Sequence, residues 1–424
     1  MRKRVSVHHW FDGDGMLHAL HLENGSATYR NRFVRTQAIA AEVAAGEAVW
    51  TGINERPDFS HPGGPFKDTA NTDLVFHAGR LLALWWLGGP CYEVALPSLE
   101  TVGEYDFGGT LTTGLTAHPK LDPETGELMV FDYNVLPPYL TYSVMSADRR
   151  MVHHTDIDLP GPRLLHDLAI TEHHTIFLDF PLMWDPELLA RGKTKVTFRT
   201  DMPARFGILA RHANGDAIKW FEAESCYMYH TINEWESGDE VVLVGCRIDD
   251  PLAAPVDGEI VPHIDVLRLQ PYLYEWRFNL VTGAVHERAL DDVMTEFPRM
   301  NNARLGRPTR YSYNPRIAEQ PELLFDGFVK YDTTTGVGTA HGYGDGRFGG
   351  ETVFAPRAGA TAEDDGYVLT FVTEAGTGTS EAIIVDAQRV EDGPVARIQI
   401  PQRVPIGYHG WWVGANELDA QPAR

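Results

Sequence analysis

LVFHAGRLLALWW (Leu74–Trp86) decides how the rest of the chain is read. Two short apolar runs flank HAGR, a tight-turn signal that puts His77 in the turn of a β-hairpin. The same grammar recurs. ELMVFDYN (Glu127–Asn134), HTIFLDFP (His174–Pro181), RFGILARH (Arg205–His212), EVVLVGCRI (Glu240–Ile248) and YVLTFVTE (Tyr367–Glu374) are apolar runs of strand length. Each is bounded by Gly, Pro, Asp or Asn. A further hairpin is expected about Thr282–Gly283. Only Val34–Val49, rich in Ala and Glu, and Asp291–Phe297 read as helical. Strands at this density, without intervening helices, predict an all-β fold. No stretch reads as a linker, a low-complexity tract or a clean repeat. One closed β structure of 424 residues is most simply a propeller, whose radial blades protect its edges. The expectation is a single domain over residues 1–424.

Net charge is −23, from 36 basic and 59 acidic residues, which disfavours nucleic acid and any purely electrostatic attraction to an anionic membrane. The basic start, MRKR, runs straight into polar residues, so no secretory leader is expected. Three cysteines, Cys91, Cys226 and Cys246, show neither disulfide nor metal spacing and fit a reducing cytoplasm.

Eighteen histidines keep a metal in view. Four share a setting: His118 in TAHPKLDPETGEL, His166 in LLHDLAITEHH, His230 in YMYHTINEWE and His409 in GYHGWWV. Each stands where an irregular segment meets a strand. His409, between two glycines and beside two tryptophans, has two readings: a packed residue of a terminal core strand, or a ligand delivered by the last strand. Seven blades would average about 60 residues each. The His118–His166 and His166–His230 gaps are then about one blade each, and the gap to His409 about three. Four ligands from four blades could converge on a propeller axis. His8, His9, His153, His154 and His173 lie in polar runs expected to be exposed, and His174 reads as a structural residue.

GLTAHPKLDPETGELMVFDYN, LLHDLAITEHHTIFLDFP, YHTINEWE and RVPIGYHGWWV together resemble the carotenoid cleavage oxygenase superfamily, with its lignostilbene dioxygenases and retinal isomerohydrolase. The likeness runs from Trp10 to Val413. It implies a seven-bladed β-propeller with a cap of loops and helix over an axial Fe(II). It implies His118, His166, His230 and His409 as the ligands. Imidazole suits Fe(II), and four neutral ligands leave the ion its full charge and at most two open octahedral positions. The resemblance also supplies outer glutamates that hold the ligand rings: Glu296 in EFPRMN and Glu351 in GETVFAP. The alternative for both is a solvated loop carboxylate.

The match departs in one strand. The family pattern LALWEAG carries a third glutamate; here LALWWLGGP places Trp86 or Leu87 there. The phenol-gripping lysine and tyrosine of the lignostilbene branch fall at Trp85 and Asn54. Trp85 and Trp86 either wall a cavity for a flat conjugated substrate or are core strand residues, one facing each side of the sheet. Thr72 is expected near the metal. The implied activity is oxygenase cleavage of a conjugated C=C bond with O2, on an apocarotenoid or an aromatic (stilbenoid or phenylpropanoid) alkene. A non-catalytic propeller with a degraded outer set of carboxylates is the alternative. A propeller glycosidase would need a carboxylate pair that the chain does not display. Leu182, Met183, Trp184 and Leu189 form either an exposed membrane-docking patch or, as favoured, a packed loop.

Overall fold

The computed structural model describes residues 9–56, 58–185, 187–188, 191, 196–252, 262–264, 267–419 and 421. Its architecture is all-β, as the apolar runs predict. Four antiparallel four-stranded sheets follow one another along the chain. The first is Asp73–His77, Arg80–Leu84, Cys91–Val94 and Thr101–Tyr105. The second is Lys120–Leu121, Leu128–Tyr133, Leu140–Met145 and Met151–Ile157. The third is Leu168–Ile170, His174–Asp179, Ala204–Ala210 and Lys219–Ala223. The fourth is Tyr227–Ser237, Glu240–Ile248, Tyr272–Asn279 and Val285–Ala289. A larger sheet takes the strands from Tyr311 to Ile400, and Met16–Glu23 pairs with Ser26–Phe33 as a separate hairpin.

Burial separates the strands of each meander. Leu128–Tyr133, Leu140–Met145 and Glu240–Ile248 are buried almost throughout. The last strands, Thr101–Tyr105, Met151–Ile157, Val285–Ala289 and Pro394–Ile400, alternate or face water. A continuous apolar run therefore marks a strand packed on both faces, and alternation marks an outer strand with one wet face. Ala78 and Gly79 take positive φ (47° and 82°), which closes the opening hairpin as a two-residue turn. The hairpin about Thr282–Gly283 is also present.

The two helical expectations part ways. Val34–Val49 shrinks to a helix over Gln37–Ala45, capped by the Thr36 hydroxyl accepting the Ile39 N–H and stopped by Gly46 in the left-handed region. Asp291–Phe297 is not helical. Its backbone pairs instead with the Tyr311–Ile317 strand: Glu296 N–H donates to Pro315 O and Ile317 N–H to Met294 O. Long-range pairing overrides local propensity there.

The apolar run after Asp179 packs inward. Leu182 and Trp184 are buried in a short strand paired with Val196–Phe198, so they offer no docking patch. Leu189 lies outside the described residues, as does His8. No helix among the described residues is long and apolar enough to cross a membrane. His9 is buried rather than exposed, because its ring caps the 3-10 turn Trp10–Asp12.

Candidate metal centre

His118 and His166 immediately precede the first strands of the second and third sheets, and His230 lies in the first strand of the fourth. Three consecutive meanders thus deliver one imidazole each to a common point. The register of Tyr227–Ser237 shifts between Met228 and Thr231, and this bulge re-aims His230. His118 holds a left-handed backbone, φ 66°, a rare state for a side chain of this size. His409 is not in a strand, where both sequence readings put it. It lies beyond the last strand, Pro394–Ile400, in a segment without regular structure. Its neighbour Gly410 donates its N–H to Glu351 Oε2 at 2.7 Å, and a Cβ there would crowd Val353 at 2.9 Å.

The four rings meet. His118 lies 4.6 Å from His166, 4.9 Å from His230 and 4.6 Å from His409, centroid to centroid. Nε2 of His118 and Nε2 of His166 are 3.2 Å apart, the spacing of two adjacent nitrogens on one ion with metal–nitrogen bonds of about 2.1 Å. Ring nitrogens of His118, His230 and His409 all fall within 4.8 Å of one another. Burial, reinforced by the neighbouring histidines, holds His118 and His166 well below the usual imidazole pKa. Burial does the same for His409 against the opposing pull of Asp73. Neutral rings with lone pairs turned inward are the form a cation requires. Nε2 of His230, buried and without a hydrogen-bond partner among the described residues, fits the same occupant.

Outer carboxylates orient two of the rings. Glu296 Oε2 stands 2.5 Å from His230 Nδ1, and Glu351 Oε1 2.8 Å from His409 Nδ1. Glu351 also accepts the Gly410 N–H at 2.7 Å and pairs with Arg299 Nε at 2.7 Å. Neither glutamate is a solvated loop residue, since both are buried.

Comparison with known proteins bears on this geometry. The family profile described as retinal pigment epithelial membrane protein matches residues 1–414. The chain belongs to the carotenoid cleavage oxygenase family. Carotenoid 9,10(9',10')-cleavage dioxygenase 1 of Pisum sativum is 36% identical over 457 residues, spanning 98% of this chain and 83% of that protein. The carotenoid cleavage oxygenase of Mycobacterium tuberculosis is 33% identical, spanning 96% and 88%. Among solved structures, the Pseudomonas brassicacearum lignostilbene dioxygenase aligns at TM-score 0.85 and 29% identity, over 96% of this chain and 88% of that one. The cobalt-substituted Synechocystis apocarotenoid oxygenase aligns at TM-score 0.83 and 27% identity over the same shares. The sheets are accordingly the blades of a seven-bladed β-propeller.

A pocket opens against His166, His230 and His409. Trp10, Phe11, Tyr229, Phe297, Leu323 and Tyr408 supply half of its lining residues and give it an aromatic, apolar wall. Phe297 holds φ 53°, a second strained backbone beside the histidines. Thr72 lines the pocket too, with its hydroxyl engaged by Asn71 and the Trp86 N–H. Trp85, Trp86 and Asn54 are not among the lining residues. The strand ends at Leu84, so alternation no longer sends the two tryptophans to opposite faces. Both are buried in one apolar cluster, Trp85 bridged to Thr116 and Trp86 packed on Phe11. Asn54 sits in the turn closed by the Glu55 N–H to Gly52 O hydrogen bond.

Sequence reasoning missed Asp73, Arg299 and the pocket aromatics. A charged residue opening a buried strand, TDLVF, was the available signal for Asp73. Its Oδ2 lies 3.3 Å from His118 Nδ1.

Further buried charge lies close to these histidines in sequence. Lys120 pairs with Asp167 at 2.6 Å, and Glu234, four residues after His230, is fully buried. Burial raises the Glu234 carboxyl to about 8, with Lys120 pulling down and Asp167 pushing further up. The native state therefore binds a proton that the unfolded chain releases above the ordinary carboxylate range. That stability is present at low pH and is lost as pH rises towards about 8. Glu234→Gln should accordingly gain stability over the parent at pH 8.5 and differ little at pH 5. Urea midpoints at the two pH values check this; an equal difference at both would remove the argument.

Proposed function

We propose that this protein is a non-heme Fe(II)-dependent oxygenase that cleaves one conjugated C=C bond with O2, placing one oxygen atom on each carbon to give two carbonyl products. The observation that carries the reading is the convergence of four buried imidazoles from segments far apart in sequence, with their nitrogens spaced for one ion. His118, His166, His230 and His409 are the proposed ligands, and Glu296 and Glu351 hold two of them in orientation. Iron, when bound, supplies activation of O2. The chain supplies the rest. The ligand rings fix the ion without acting as acid or base. The aromatic wall excludes water and aligns a flat conjugated substrate by burial and stacking. Thr72 narrows access beside the histidines.

The substrate class is an apolar polyene such as an apocarotenoid, or an aromatic alkene of stilbenoid or phenylpropanoid type. The aromatic lining and the names of the relatives, which cleave carotenoids or lignostilbene, support it. Nucleic acid does not fit a chain of net charge −23. The three cysteines are buried and free, which suits the cytoplasm. One domain over residues 1–424, with loops and a helix capping the site, accords with the continuous family match. A non-catalytic binding propeller is the weaker reading, since such a protein has no reason to keep four converging buried histidines.

The test is iron per chain by elemental analysis on protein purified without chelator, followed by oxygen uptake with a polyene aldehyde and a hydroxystilbene. About one iron per chain and oxygen uptake with one substrate are expected. A chain that arrives empty and refuses added Fe(II) would overturn the proposal.

A further inference from the structure

The centre has a third outer carboxylate, and it stands on an unexpected histidine. Glu296 faces His230 and Glu351 faces His409. The position at which the family pattern places its remaining glutamate holds Trp86 or Leu87, and neither side chain can accept a hydrogen bond. His166 accordingly has a buried Nδ1 with no hydrogen-bond partner among the described residues. His118 is different. Asp73 Oδ2 lies 3.3 Å from its Nδ1 and also accepts its backbone N–H at 3.2 Å. We propose that Asp73 is a positioning residue for the His118 ligand, so that the centre keeps three outer carboxylates with one moved to a neighbouring histidine. This inference rests on reading the four histidines as a metal centre.

The placement follows from the topology. Asp73 opens the first strand of the first sheet, while His118 and His166 stand at the entry to the first strands of the next two. The same end of each blade faces the axis, so a carboxylate at this position reaches the ring delivered by the following blade. His118 needs the support. Its left-handed backbone is intrinsically unfavourable, and an acceptor on the outer N–H of a ligand imidazole fixes its tautomer and ring orientation. One oxygen of Asp73 serves both groups.

Asp73 is itself braced. Its Oδ1 accepts the Leu74 N–H at 2.7 Å and lies 3.7 Å from Arg299 Nη2. Arg299 Nε in turn pairs with Glu351 at 2.7 Å. Burial alone would lower the Arg299 pKa; Glu351 and Asp73 together hold it above the ordinary value. His118, Asp73, Arg299, Glu351 and His409 therefore form one unbroken chain, and a single guanidinium braces the carboxylates of two proposed ligands.

The competing account makes Asp73 a clamp on the His118 backbone and nothing more. Cobalt separates the two. Full-length parent, Asp73→Asn, Asp73→Ala and Glu351→Gln would be stripped, loaded with Co(II), and followed by their visible absorption and by release of Co(II) to a chelator. Thermal midpoints of the metal-free proteins report the clamp. Asp73→Ala should release Co(II) roughly tenfold faster, at the lower end of the effect of losing an outer partner. Asp73→Asn, which keeps the volume and an acceptor oxygen but not the charge, should fall between, with a shifted absorption band and an unchanged metal-free midpoint. It also carries the test if the alanine variant does not fold. Parent-like release and spectra in both Asp73 variants, beside an altered Glu351→Gln, would overturn the inference alone. A parent chain that takes up no Co(II) would overturn the metal-centre reading and the inference with it.

Discussion

His409→Ala should strip the protein of its metal while leaving the propeller folded. The residue lies in an irregular segment past the last strand, so no ladder of hydrogen bonds depends on it. Its ring is nevertheless buried against His118, His230 and Phe297, and its Nδ1 is held by Glu351. Removing it deletes one of four nitrogens and leaves Glu351 facing a gap. Losing an outer partner costs about ten- to a hundredfold in metal affinity. Losing a ligand outright should cost more than about a hundredfold, enough to empty the site during purification. Iron per chain near zero, a parent-like circular dichroism spectrum and no oxygen uptake with any alkene are expected. Full iron occupancy in the variant would remove His409 from the ligand set.

The largest effect on stability is expected from Asp179→Ala. Asp179 lies at the end of the His174–Asp179 strand with its side chain almost wholly buried. Its Oδ1 accepts from Arg163 Nε at 2.6 Å, and Arg163 is equally buried. Its Oδ2 takes Arg205 from the adjoining strand. With the carboxylate gone, the Arg163 guanidinium keeps, among the described residues, only a contact to Gly161 O and remains charged in an apolar setting. Breaking a buried pair from one side costs about 3–5 kcal/mol. Arg163 lies three residues before His166, so a loosened segment should also release metal faster. A urea midpoint, with the double variant Arg163→Met/Asp179→Leu alongside, checks the cause. The double variant should recover most of the loss, because the fully buried Arg163 charge goes with its partner, while the part-exposed Arg205 keeps the face of Trp220. A single variant within about 1 kcal/mol of the parent would show the pair to be dispensable.

Strands and hairpins were legible because their signals are local. Apolar runs of strand length, broken by Ala78–Gly79 and Thr282–Gly283, need no knowledge of what lies across the molecule. The four histidines and Glu296 and Glu351 were legible for another reason: each sits in a motif long enough to be recognised whole. Asp291–Phe297 failed as a helix because its backbone is claimed by a strand some twenty residues on. Trp85 and Trp86 failed as cavity wall because the strand stops at Leu84, and the loop that follows turns both into the core.

Asp73 shows where reading along the chain ends. In the text it is an acid between a threonine and a leucine, 45 residues from the histidine it serves. Periodicity states which face of a strand is apolar, and motif states which residue types are present. Neither states which segments meet, because the stacking of successive sheets about an axis brings the entry ends of their first strands together. The all-β character and the histidine set therefore belong to the sequence. The carboxylates beside three of the imidazoles, the aromatic wall, and the lack of a partner for His166 Nδ1 among the described residues belong to the way the blades close.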